Sequence, residues 1–131
     1  MAFEYICLTL MTILFMFAWV PGSVGKWKSY GGKWIASNRD PIPGKELLPW
    51  ASRCDRAYNN LKDYFPAYAV AIILLGILNK FDPLTQATAA LYLLSRVAHF
   101  ISYAIGNVPQ RALYFFMSLA CNFYLLTKVI S

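Results

Sequence analysis

Arg96-Val97-Ala98-His99-Phe100-Ile101-Ser102-Tyr103 sets an arginine and a histidine inside residues 83–110, which hold no other Asp, Glu, Lys, Arg or His. An ionisable side chain in hydrocarbon costs about 2.5 to 3.5 kcal/mol on insertion scales, so it turns toward a bundle interior or a wet cavity. The stretch predicts a polar site kept within a membrane bundle.

The rest of the chain agrees with a membrane location. Of its 131 residues, 59% are hydrophobic and 14% charged, against about 25% charged in soluble domains, and the mean hydropathy is +0.46. Residues 5–25, 64–79 and 112–127 carry no Asp, Glu, Lys or Arg. A membrane-crossing helix needs about 17 to 25 residues. The two shorter gaps reach that length because Lys62, Lys80 and Lys128 at their edges can snorkel to the headgroups. With residues 83–110 these segments predict four transmembrane helices in a single domain, 1–131. A cleaved signal peptide fits the first segment poorly. Its start carries Glu4 and no Lys or Arg, and no small-residue cleavage site follows Trp19.

The net charge of +6 is concentrated in one connection. Residues 26–62 contain Lys26, Lys28, Lys33, Arg39, Lys45, Arg53, Arg56 and Lys62 against Asp40, Glu46 and Asp55, whereas Lys80 and Asp82 balance the second connection. Excess Lys and Arg face the cytoplasm, which places the first connection and Arg111 there and both termini outside. Trp27, Trp34 and Trp50 interleave with the basic residues, as in a segment lying on anionic headgroups. Nucleic acid is not the expected partner. Cys7, Cys54 and Cys121 are odd in number and widely spaced, and they indicate neither a disulfide framework nor a metal site.

Pro21, Gly22 and Gly25 are expected to end the first helix, and Gly31, Gly32, Pro41, Pro43 and Gly44 to keep the next stretch irregular. The second helix should run from Leu48 or Pro49 to near Leu78, the third over 84–105 and the fourth over 112–130, with a break at 106–109. On the second helix Arg53, Arg56, Asn60 and Asp63 lie three, four and three positions apart, which puts them on one face. Arg96, His99 and Tyr103 follow the same spacing on the third, toward Arg111. Antiparallel packing would bring the two stripes together. An internal ion pair of Arg56 or Arg96 with Asp63 is the simplest alternative to a ligand. Yet Arg53, Arg56, Arg96 and Arg111 outnumber Asp55 and Asp63, so an anionic ligand would complete the balance, and arginine suits bidentate recognition of carboxylates.

Arg53-Cys54-Asp55-Arg56-Ala57-Tyr58-Asn59-Asn60-Leu61-Lys62-Asp63-Tyr64-Phe65-Pro66 resembles the second-helix signature of the MAPEG family, membrane-associated proteins in eicosanoid and glutathione metabolism. Arg96-Val97-Ala98-His99, Tyr103 and Pro109-Gln110-Arg111 are similar to the third-helix stretch of its prostaglandin synthases. Asn38-Arg39-Asp40-Pro41 and Trp50 look like the loop of its short bacterial members. The resemblance spans about residue 38 to the C-terminus. It implies an all-α, four-helix membrane protomer in a homotrimer, in a bacterial inner membrane, with glutathione bound between subunits near the cytoplasmic face. By matched position it implies that Arg56, Asn60, Asp63 and Tyr64 hold glutathione, with Arg96 and Tyr103 contributing. The same stripes add Arg53 and His99 to the expected contacts. Arg111 matches the arginine that stabilises the glutathione thiolate in catalytic members.

The sequence departs from the family at several points. Asp63 stands where Glu is usual and is one methylene shorter. Tyr58 replaces a common His, Lys26 and Lys28 only approximate a basic cluster seen after the first helix in several members, and Ala112 replaces the Ser of the prostaglandin synthases, which argues against that isomerase activity. The expected function is a glutathione-dependent transferase or peroxidase-like protein acting on lipophilic electrophiles, with glutathione, a lipophilic small molecule and membrane lipids as partners. The alternative is a non-catalytic lipid-binding or assembly protein on the same fold. A small multidrug transporter ranks third, because Glu4 lies close to a helix end and Asp63 close to an interface.

Overall fold

A computed structural model describes residues 1–131, all helical apart from the connections. The elements are α1 (Phe3–Phe17), α2 (Val20–Tyr30), α3 (Gly32–Ile35), α4 (Pro49–Ile77), α5 (Pro83–Ile105) and α6 (Val108–Ile130). Four stretches are long and apolar enough to cross a membrane: Phe3–Tyr30, Pro49–Ile77, Pro83–Ile105 and Val108–Ile130. At 1.5 Å per residue the 29 residues of α4 extend roughly 44 Å. That exceeds a hydrocarbon core of about 30 Å, so one end of the helix stands in the headgroup region.

The first span corrects one expectation. Pro21, Gly22 and Gly25 do not end it: after a bend at Ala18 and Trp19 the chain stays helical to Tyr30. Pro21 sits in the first turn of α2, where its missing N–H leaves no hydrogen bond unmade. The two glycines are contact points with α4. A Cβ at Gly22 would collide with the Asp55 carboxylate, and one at Gly25 with the Cβ of Ala51. Small residues let membrane helices approach closely, since lipid supplies little hydrophobic drive for their association. The Lys26–Asp55 ion pair, 2.6 Å, closes the same contact. The chain turns at Gly31, whose φ of 87° requires glycine, into the short α3 before an irregular run up to α4.

Local chemistry sets the other helix ends. Asp82 accepts hydrogen bonds from the N–H groups of Leu84 (2.9 Å) and Thr85 (2.8 Å), while the Thr85 hydroxyl accepts from the Asp82 N–H, a complete capping box. Gly106, with φ 82°, stops α5 in the left-handed conformation. Asn107 then caps α6, which begins at Val108, a turn before the expected start near Ala112. Pro109 reads as a helix breaker in sequence but falls within the first turn, where proline is tolerated.

The core joins α4, α5, α6 and α1 through Leu61, Tyr68, Ile72, Leu75, Ala89, Tyr92, Leu125, Cys7 and Met11, all essentially inaccessible. Tyr68 and Tyr92 stack at its centre with ring centroids 4.0 Å apart. The outer face is apolar too: Leu94, Ile101, Ile105, Phe116 and Phe123 are all more than half exposed. A lipid solvent or a second subunit suits such a face. Glu4 is not at a loose helix end. It is fully buried against α5, with Oε1 accepting from the Thr85 hydroxyl at 2.7 Å.

At that same end of the bundle Lys128 pairs with Asp82 at 2.8 Å. The ammonium bonded to it, reinforced by the N–H of Thr85, holds the Asp82 carboxyl below its ordinary value. A depressed native pKa stabilises the fold above the unfolded value of about 3.9, and that contribution disappears as pH falls through the native value. Asp82→Asn is therefore expected to melt slightly lower than wild type near neutrality and to lose less on acidification to about pH 3. Thermal unfolding of both proteins across that range in one detergent checks it, and parallel acid limbs would contradict it.

Candidate functional site

The polar stripes meet at the opposite end of the bundle, where the start of α4, the end of α5 and the start of α6 come together. Arg53 Nε donates to the carbonyl of Ala104 at 2.9 Å, tying α4 to the last turn of α5. One turn deeper, Arg56 Nη1 donates to Ser52 Oγ at 2.7 Å, and its guanidinium lies 6.0 Å from the Tyr103 ring centre. Arg111, from the first turn of α6, lies 4.6 Å from the same ring. Two cations thus share one phenol, an arrangement favoured by the negative face of the ring but opposed by the repulsion between the guanidiniums.

Below this rim is a cavity of about 270 Å³ lined by Asn60, His99, Tyr103, Arg111, Ala112, Phe115 and Phe116. Its wall combines the polar side chains of Asn60, His99, Tyr103 and Arg111 with the apolar ones of Ala112, Phe115 and Phe116, and Phe116 is itself well exposed on the outer face. His99 stands edge-on to Tyr103 at 5.7 Å, is 2% exposed, and leaves Nδ1 without a hydrogen-bond partner. Arg96 sits behind the cavity at 1% exposure. It donates through Nη2 to Asn60 Oδ1 at 2.8 Å and through Nη1 to Ser118 Oγ at 3.3 Å, and its Nε is unpartnered.

No carboxylate at this end pairs with an arginine. The chain forms two ion pairs, Lys26–Asp55 and Lys128–Asp82, and none involves an arginine. Asp55, one of the acids expected to offset the arginines, is engaged by Lys26. Asp63 is exposed and pairs with neither Arg56 nor Arg96, so the simplest alternative to a ligand does not form. A buried guanidinium held only by neutral acceptors is far from its best electrostatic state.

The structure separates the nine residues selected from sequence. Asn60, His99, Tyr103 and Arg111 line the cavity. Arg53 and Arg56 stand at its rim, and Arg96 reaches it only through Asn60. Asp63 faces outward from the protomer. Tyr64 lies behind the wall with its ring edge-on to Phe115 at 5.0 Å, and it borders a separate apolar crevice with Asn122 and Phe123. Sequence reading missed Phe115 and Ser118. Both follow Arg111 at the four-then-seven spacing of one helix face, a signal hidden because that face was read only as part of an apolar span. Cys54, between two arginines in sequence, is buried at 4% exposure and does not line the cavity.

A family model described as MAPEG family matches residues 3–131. No curated protein matches the chain significantly.

Proposed function

We propose that this chain, which belongs to the MAPEG family, binds glutathione at the arginine-rich end of its bundle and conjugates it through its sulfur to lipophilic electrophiles. One observation carries this reading: Arg53, Arg56, Arg96 and Arg111 converge at one end of an integral membrane protein with no carboxylate paired to any of them. Glutathione brings two carboxylates, two amides and a thiol, an acceptor-rich ligand for a donor-rich site. Arg56 and Asn60 take its carboxylate and amide groups. Asp63, facing outward, is placed to meet the ligand amine or a neighbouring subunit. The exposed apolar sides of α5 and α6 would pack in a homotrimer, with the ligand between protomers.

Arg111 acts on the sulfur. A thiol with a pKa of about 8.5 is mostly protonated at neutral pH, and a guanidinium beside it favours the nucleophilic anion. The thiol proton leaves to solvent, and the thiolate forms the S–C bond as the electrophile's leaving group departs with its electron pair. Phe115, Phe116 and Ala112 form the apolar side of the same cavity, from which a hydrophobic electrophile can enter out of the bilayer.

Calorimetric titration tests the binding. A charge-assisted hydrogen bond contributes about 1.5 to 3 kcal/mol, so Arg56→Ala is expected to weaken glutathione binding by roughly ten-fold or more. Equal affinities for wild type and Arg56→Ala would remove Arg56 from the site. No binding to wild type would remove glutathione.

A further inference from the structure

Arg96 is too deeply buried to line the cavity, but it grips an atom of a residue that does. Its Nη2 lies 2.8 Å from Asn60 Oδ1. A carboxamide presents an acceptor at one end and two donors at the other, and the group it faces decides which end turns that way. Here chemistry distinguishes them: a guanidinium carries five donors and no acceptor, so only the amide oxygen can face Arg96. The opposite orientation would set N–H against N–H beside a buried charge. The end of Asn60 left for the cavity is therefore Nδ2, with its two hydrogens.

We infer that Arg96 is a positioning residue that locks the Asn60 amide so that the cavity presents a hydrogen-bond donor at this point and selects ligands bearing an acceptor there. The inference rests on the glutathione reading only for the identity of that acceptor, a carboxylate or peptide carbonyl. Ser118 Oγ, accepting from Nη1, steadies the guanidinium from α6, so the acceptor end of Asn60 is held by residues of two other helices and the donor end stays free. A cavity already lined by Arg111, Tyr103 and His99 gains a neutral donor beside a cationic one, which suits a bound carbonyl next to a bound carboxylate.

Asn60→Asp separates this role from a structural one. The aspartate gives Arg96 the carboxylate it lacks, so the purified full chain should melt at or above the wild-type temperature. Its second oxygen would face the cavity as a negative acceptor, and glutathione affinity should fall at least about ten-fold. Glutathione monoethyl ester, one carboxylate fewer, should lose less. Arg96→Lys and Arg96→Gln form the second comparison. The ammonium also only donates and keeps Asn60 in place, whereas glutamine can accept and lets the amide turn. Arg96→Lys should therefore bind several-fold tighter than Arg96→Gln. Wild-type affinity in Asn60→Asp, or equal affinities in the two Arg96 variants, would overturn the inference. Should wild type bind no glutathione, the ligand reading fails and the melting temperature of Asn60→Asp still decides: a value at or above wild type supports the Arg96–Asn60 contact, and a fall refutes it.

Discussion

Arg111→Ala is expected to lower glutathione transfer to a generic aromatic electrophile by about 100-fold or more, the scale on which a preorganised charge-stabilising donor acts. Binding should persist, because Arg56 and Asn60 remain. Arg111 lies in the cavity wall over Tyr103 and has no carboxylate partner, so its charge is free to act on a bound thiol. The diagnostic readout is the ultraviolet absorbance of the bound thiolate at neutral pH, present in wild type and lost in Arg111→Ala. Arg111→Lys keeps the charge without the planar fork, and intermediate activity is expected from it. An interfacial arginine that only snorkels would behave differently. Turnover by Arg111→Ala equal to wild type across neutral pH would exclude the activating role.

Gly25→Leu should be the most damaging change outside the site. A Cβ at Gly25 already collides with Ala51, which is wholly buried at the start of α4, so a leucine must push α2 off α4. Overpacking of this kind costs about 1–3 kcal/mol and sometimes more. The damage should also reach the cavity, because the same turns of α4 carry Arg53 and Arg56 toward α5. Thermal unfolding and glutathione titration of Gly25→Leu should both show losses. Gly25→Ala combined with Ala51→Gly exchanges the methyl across the contact and should recover most of the stability lost by Gly25→Ala alone. A wild-type melting temperature in Gly25→Leu would show that the contact does not matter.

The site was legible in sequence to the extent that it depends on helix periodicity. Arg53, Arg56 and Asn60 on α4, and Arg96, His99 and Tyr103 on α5, were assigned to faces by spacing alone, and those faces meet. What spacing does not contain is the rotation of each helix relative to its neighbours. That rotation sends Arg96 behind the cavity and Asn60 into it, turns Asp63 outward, and places Tyr64 behind Phe115. The pairing of Asp55 with Lys26 is likewise a contact between helices, and it withdraws one of the two acids that sequence set against the arginines.

Four spans, the polar content of the third, the charge asymmetry of the connections and the family can be read from the amino-acid order alone. These are local quantities: in lipid a backbone must satisfy its hydrogen bonds within its own helix, so length and apolarity suffice to mark a span. Helix packing settles whether Gly22 and Gly25 end a helix or admit another, and whether Glu4 lies at a frayed end or inside the bundle. It alone brought the Asn60 amide against Arg96. Each of these depends on what stands opposite the residue, and opposing residues come from other helices, at separations in sequence that no local pattern records.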